Sequence, residues 1–145
     1  KKLLSIVAAA IFMVSCGMTD KAKQVDYTEA HGYFVRNDAR LIYPATKQQG
    51  GFDSVFGCAA FMGEGGTPTQ IDFTRQSVIA VIAVIGCETN RPTKYIPVSL
   101  ISQADTLRLK YNVEEANPTT STMIPLLLLV LDKAYASPNI NIEKQ

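Results

Sequence analysis

Beyond the N-terminal segment, the most continuous apolar stretch of the chain is Ser77 to Gly86, in which Val78 to Ile85 run without a polar residue. Eight residues fall far short of the ~20 that cross a bilayer as a helix. Alternating Val and Ile with Ala suits a strand buried on both faces. Val78, Ala80, Ile82 and Val84 would point one way and Ile79, Val81, Ala83 and Ile85 the other, because successive side chains of a strand face opposite sides. Each face then needs its own cover, which a single exposed sheet does not supply.

The flanking patterns suggest where that cover comes from. Phe52, Val55, Phe56 and Ala59 recur at helical spacing, with Met62 near the same face and Gly63 placed to end the run, which predicts one short amphipathic helix as a lid for one face of the central strand. Leu107, Leu109, Tyr111 and Val113 alternate with Arg108, Lys110 and Asn112, the period of a strand with one buried and one wet face. Tyr95 to Ile101 predicts the preceding strand, with a bulge or edge position at Pro97 and a hairpin through Gln103-Ala104-Asp105. Tyr33 to Arg36, Leu41 to Tyr43, Met123 to Leu131 and Asn139 to Ile142 read as further extended segments. Five to seven strands and one helix follow. The expected fold is α+β and mostly β, an antiparallel sheet forming a sandwich or partly closed barrel with the helix plugging one side.

The first residues carry a different signal. Lys1-Lys2, an apolar run from Leu3 to Val14, and Val14-Ser15-Cys16-Gly17 match a secretion signal and resemble a bacterial lipobox, in which the cysteine is lipidated after cleavage. Residues 1–15 are therefore read as a lipoprotein signal peptide, 16–29 as the lipidated Cys16 and a flexible tether, and 30–145 as a single β-rich domain. Multiple acyl chains on Cys16 would anchor the protein stably to a membrane. Without Lys1 and Lys2, twelve basic residues stand against thirteen acidic ones, a net charge of −1, and the even scatter argues against a nucleic-acid partner.

Candidate chemistry is sparse. The single histidine, His31, has no Ser or Cys motif beside it, so a surface or strand-edge role is favoured over catalysis. One His and two distant cysteines do not complete a zinc set, and Gly63-Glu64-Gly65-Gly66 lacks the Gly-Lys-Ser/Thr of a phosphate loop. No metal or cofactor is expected. With Cys16 assigned to lipid, Cys58 and Cys87 remain. In an exported protein a disulfide between them is the natural reading, with two small buried thiols the alternative. Three polar segments rich in Pro, Gly, Asn and Thr, at Gly63 to Thr69, Glu88 to Thr93 and Ala116 to Thr122, are candidates for a shared contact surface.

Two resemblances bear on function. Ile71-Asp72-Phe73 with Val78-Ile79-Ala80-Val81, then Gly86, Pro92-Thr93 and Tyr95, then Leu107, Leu109 and Tyr111, resemble the PrcB C-terminal domain over residues 30 to 143. That small domain of bacterial envelope lipoproteins is named after a subunit of the surface protease complex dentilisin. Its Pro-Thr-Gly-Gly-Tyr turn is here the shorter Pro92-Thr93-Lys94-Tyr95. Separately, Gly63-Glu64-Gly65-Gly66, Arg91-Pro92 and Asn117-Pro118-Thr119-Thr120 are similar to the binding loops of chagasin-type inhibitors of cysteine proteases, in a different chain order. The resemblances imply a non-enzymatic, lipid-anchored protein of the bacterial envelope, outside the cytoplasm at the outer membrane or cell surface. Its domain would bind another protein, a protease first among partner classes. Gly63, Glu64, Gly65, Gly66, Arg91, Pro92, Thr93, Asn117, Pro118, Thr119 and Thr120 would be the contact residues. The alternatives are a binder of a small envelope peptide or glycan and, less favoured, a hydrolase with an unfamiliar site.

Overall fold

The computed structural model describes residues 20–36, 49–59, 66–82, 88–137 and 139–145. They hold nine strands and one α-helix: β1 Lys23–Gln24, β2 Tyr27–Glu29, β3 Tyr33–Val35, α1 Gln49–Val55, β4 Phe56–Cys58, β5 Gln76–Ile82, β6 Thr93–Gln103, β7 Thr106–Glu115, β8 Leu126–Asp132 and β9 Asn139–Lys144. The protein is α+β and mostly β, and its sheets pack together without closing into a barrel. One sheet runs β1-β6-β7-β9, a second β2-β8-β5, and β3 and β4 form a two-stranded ribbon.

The middle sheet is covered on both faces, as the parity of the central strand requires. Ile79 and Val81 of β5, beside their cross-strand partners Leu129 and Leu127 of β8, join Leu100, Leu107 and Leu109 in the core shared with the four-stranded sheet. Val78, Ala80 and Ile82 face the other way, into Phe52 and Val55 of α1, Val35 of β3 and Phe56 of β4. Strand β8 carries the same division, because Leu127, Leu129 and Leu131 join the first core while Leu128 and Val130 join the second. A run of Leu and Val with no polar interruption is what a strand buried on both faces needs. Phe52 anchors the second core through ring contacts with Tyr33, Phe56 and Phe73 at centroid distances of 5.1, 4.7 and 5.3 Å.

The 93–115 hairpin follows the sequence pattern. Its ladder shifts register between Pro97 and Ser99, leaving Val98 as the extra residue of a bulge, and Ala104 at φ 51° turns the chain.

Several expectations are corrected. The helix ends at Val55 and does not run on to Ala59, because Phe56 to Cys58 pair with Tyr33 to Val35. Phe56 reaches the same core from a strand as it would from a helix, so apolar spacing alone does not separate the two. The helix also includes Gly50 and Gly51. Residues 23–29 belong to the fold and are not tether: Lys23 and Gln24 pair with Ser102 and Ile101, Tyr27 to Glu29 pair with β8, and Val25 between them is 1% exposed. Strand β9 runs parallel to β7, so pairing is not wholly antiparallel, and the short N-terminal strands take the count above seven. The Leu41 to Tyr43 strand, the Met62-Gly63 helix end and residues 83–87 of the central run lie outside the described residues.

Candidate functional site

At one end of the sandwich the connections into β6 and out of β7 are bound to each other. Thr89 and Met123 exchange backbone hydrogen bonds at 3.0 and 2.9 Å, the Thr119 amide donates to the Asn90 carbonyl at 2.7 Å, and the Ala116 amide donates to the Pro92 carbonyl at 2.9 Å. Side chains add to these bonds. Thr119 Oγ1 donates to the Asn90 carbonyl at 3.2 Å, Thr122 Oγ1 donates to Glu88 Oε2 at 3.2 Å, and Thr93 Oγ1 donates to the Arg91 carbonyl at 2.9 Å. Short polar segments gain little from burial, so this network is what gives them one fixed shape. Arg91, Asn117, Pro118, Thr119 and Thr120 are exposed, and Pro92 and Thr93 half-buried.

An open cleft of about 480 Å³ lies beside these loops, between Thr93-Lys94, the Thr122 to Leu126 approach to β8, and Ala30 to Val35. Its apolar side is unusual for a surface: Phe34 is 49% and Met123 40% exposed. Phe34 sits opposite Gly57 in the β3–β4 ladder, and its ring occupies the space a side chain at Gly57 would take. The wall behind it is fixed at Gly32, whose φ is +80°. There the backbone turns so closely over Pro68 that a Cβ would lie 2.8 Å from its Cα. His31 exchanges hydrogen bonds with Thr69 at 3.0 Å, through its amide to Thr69 Oγ1 and its carbonyl from the Thr69 amide. Tyr33 OH donates to the Thr69 carbonyl at 2.6 Å. Burial, with lesser contributions from Cys58 and Asp53, pushes the Tyr33 phenol up, so it remains a neutral donor at ordinary pH.

Of the residues singled out by sequence, Arg91, Pro92 and Thr93 and the Asn117 to Thr120 segment are brought together. Gly66 begins the stretch whose Thr69 is bonded to His31 and Tyr33; that stretch does not line the cleft, so the third segment is not brought together with the other two. Gly63, Glu64 and Gly65 lie outside the described residues, as do Cys16 and Cys87. Cys58 is exposed on β4, opposite Tyr33. Sequence reading missed Gly32, Phe34 and Met123. A signal existed for Phe34, since three apolar residues in a row on a strand must send at least one to the face opposite the others.

The other end of the sandwich holds a larger open cleft, about 810 Å³, lined by Lys23, Asp26, Asp72, Arg75, Asp132 and Tyr135 among others, where Lys23 Nζ lies 5.2 Å from the Tyr135 ring centroid. Charges of both signs alternate there. Among the described residues no group of three or more His, Cys, Asp or Glu is arranged to hold a metal ion, and no helix is long and apolar enough to cross a membrane. No protein-family profile, curated protein or solved structure matches the chain.

Proposed function

We propose that the chain is a lipid-anchored protein of the bacterial envelope whose β-rich domain binds another protein, a protease being the first partner class to test, without catalysing a reaction itself. The observation that carries this reading is the bound pair of loops, 88–93 and 116–122. Polar segments held rigid by main-chain bonds, with Arg91 and Asn117 exposed and two exposed apolar side chains alongside, have the make-up of a protein-contact surface: apolar anchors inside a polar rim. The Val-Ser-Cys-Gly signal and the resemblance to the PrcB C-terminal domain supply the envelope and the protease.

Geometry agrees with tethering. Residue 23 pairs with Ser102, whereas the loops leave β6 at Thr93, nine residue steps or about 30 Å away at ~3.3 Å per residue. A chain anchored through Cys16 would thus hold the loops at the end away from its attachment. The cleft itself supports a second reading, a small peptide or glycan ligand.

The test is capture of a partner from envelope extract by the wild-type protein and by Arg91→Ala and Asn117→Ala. Loss of capture of tenfold or more, with the melting temperature nearly unchanged, is expected; equal capture by both variants removes the loops from the mechanism. Cys16→Ala is expected to move the protein from the detergent to the aqueous phase.

A further inference from the structure

On the side of the sandwich where β6 and β8 have their outer edges, the described residues close only half of the seam. Strand β1 lies on the outer edge of β6 at Ile101 and Ser102, with the Val25 amide donating to the Leu100 carbonyl at 2.9 Å. The chain then crosses to the outer edge of β8, where the Ala30 amide donates to the Leu128 carbonyl at 2.9 Å. Beyond Ala30 it leaves, since β3 pairs with β4. From there to the loops, both edges have no strand partner among the described residues.

The direction of the free groups follows from the alternation of an antiparallel ladder. Pro92 and Ala116 form a hydrogen-bonded pair, and the Tyr111 carbonyl accepts from Gln145 on the far side of β7. Their neighbours in register, Thr93 opposite Glu115, Tyr95 opposite Val113 and Pro97 opposite Tyr111, are therefore non-bonded pairs whose β6 main chain faces outward. Pro97, which has no N–H, occupies one of these outward positions, where a ladder loses nothing by it. Among the described residues the outward N–H and C=O of Thr93 and Tyr95 have no main-chain partner, and Thr93 borders the cleft walled by Phe34 and Met123.

We infer that this half-seam takes an extended peptide segment of a partner protein, added as a short strand on β6 over Thr93 to Pro97, with an apolar side chain set against Phe34 and Met123. The inference rests on the protein-binding reading and names the segment recognised. The chain's own residues 23–30 fill the adjoining half in the same way, by main-chain pairing to β6 and β8 with Val25 buried between them. An inserted strand meets the same kind of donors and acceptors one step further along. The bulge at Val98 and the missing N–H of Pro97 limit the added strand to a few residues, and they disfavour long edge-to-edge pairing.

The probe is a set of capped heptapeptides, Lys-Thr-Val-Xaa-Val-Thr-Lys with Xaa as Leu, Phe, Glu or Gly, titrated against the full chain. Amide shifts and hydrogen exchange are read by NMR. Binding by the Leu and Phe members is expected at micromolar to millimolar concentration, with exchange at Thr93 and Tyr95 slowed at least tenfold. The same peptides N-methylated at alternate backbone nitrogens should bind at least tenfold more weakly. Thr93→Pro, which removes an outward N–H and no ladder bond, should weaken binding to a similar degree; should that variant fail to fold, the N-methylated peptides carry the test alone. Equal binding of the methylated peptides, unchanged exchange at Thr93 and Tyr95, or no binding by any member overturns the inference. So does protection of those amides without peptide in a chain that sediments as a dimer, which would give the edge to a second copy. Partner capture lost in Arg91→Ala but kept in Thr93→Pro would leave the loop surface standing and remove the strand edge.

Discussion

Replacing Gly32 by alanine tests the wall of the cleft. At φ +80° a residue with a Cβ is strained by about 1–2 kcal/mol. The added methyl would also stand 2.8 Å from Pro68 Cα, a backbone atom that cannot rotate away, and forcing such a contact apart costs about 1–3 kcal/mol. The stiffer unfolded chain returns roughly 0.5–1 kcal/mol, so a net loss of about 2–4 kcal/mol is expected. For a domain of this size that lowers the melting temperature by roughly 10 °C. Relief of the contact requires the Pro68-Thr69 segment to withdraw, which would open the His31–Thr69 and Tyr33–Thr69 hydrogen bonds. Denaturant titration gives the stability, and hydrogen exchange at the Thr69 amide gives the local effect. Gly50→Ala is the control: nothing lies within 4 Å of its Cβ position and it is helical, so alanine there should stabilise by about 0.5–1 kcal/mol. If Gly32→Ala is as stable as wild type, the turn over Pro68 is not held as described and the cleft wall is not rigid.

Ala104→Gly should stabilise by about 0.5 kcal/mol, since relief of strain at φ 51° exceeds the added unfolded-state entropy; a lower denaturation midpoint would contradict it. Ser77 is 1% exposed and its hydroxyl has no hydrogen-bond partner among the described residues, so Ser77→Ala should stabilise by about 1 kcal/mol, read from the same titration. Asp72 accepts from Thr74 Oγ1 and the Thr74 amide at 2.5 and 3.0 Å, which holds its carboxyl below the ordinary carboxylate value. Its folded pKa being depressed, its contribution is present above the unfolded value near 3.8 and lost as pH falls through the folded one; Asp72→Asn should flatten that acid limb of the stability curve, and an unchanged limb would remove the Thr74 bonds as its cause.

What was legible in the sequence was what depends on side-chain period. The opposed faces of Val78 and Ile79, the wet and dry faces of the Leu107–Val113 strand and the bulge beside Pro97 are each set by residues within a few positions of one another. What was not legible depends on distant partners. The pairing of Lys23-Gln24 with β6 and the parallel approach of β9 to β7 are decided by edges built elsewhere in the chain, and Gln76 to Ile82 contain nothing that says which strand lies beside them. The tether reading failed at Val25 because a single apolar residue among Lys, Gln and Asp has the composition of a linker. Only its place in a gap between two sheets makes it core. The loops at Arg91 and Asn117 were visible as turn composition, but their mutual hydrogen bonds join main-chain atoms, which carry no residue identity.

The cover of the second face and the wall of the cleft are built from one short ribbon, and this links stability to the candidate site. Val35 points inward to meet Val78 and Val130, and Phe34 between it and Tyr33 points outward over Gly57. Inward substitutions on β3 therefore act on the whole fold: Val35→Ala removes buried methyls and should cost about 1–3 kcal/mol. Outward ones act mainly on the cleft, since Phe34 is half exposed and packs only over Gly57. Phe34 is 49% exposed, so about half of its surface, roughly 100 Å², is removed from water, and Phe34→Ser should cost about 2 kcal/mol, while taking away one of the two apolar anchors of the proposed contact. Capture of a partner by Phe34→Ser at wild-type level would show that the exposed ring covers Gly57 and nothing more. Loss of capture in a variant that still unfolds cooperatively, above the temperature of the capture assay, would separate the binding surface from the scaffold that presents it.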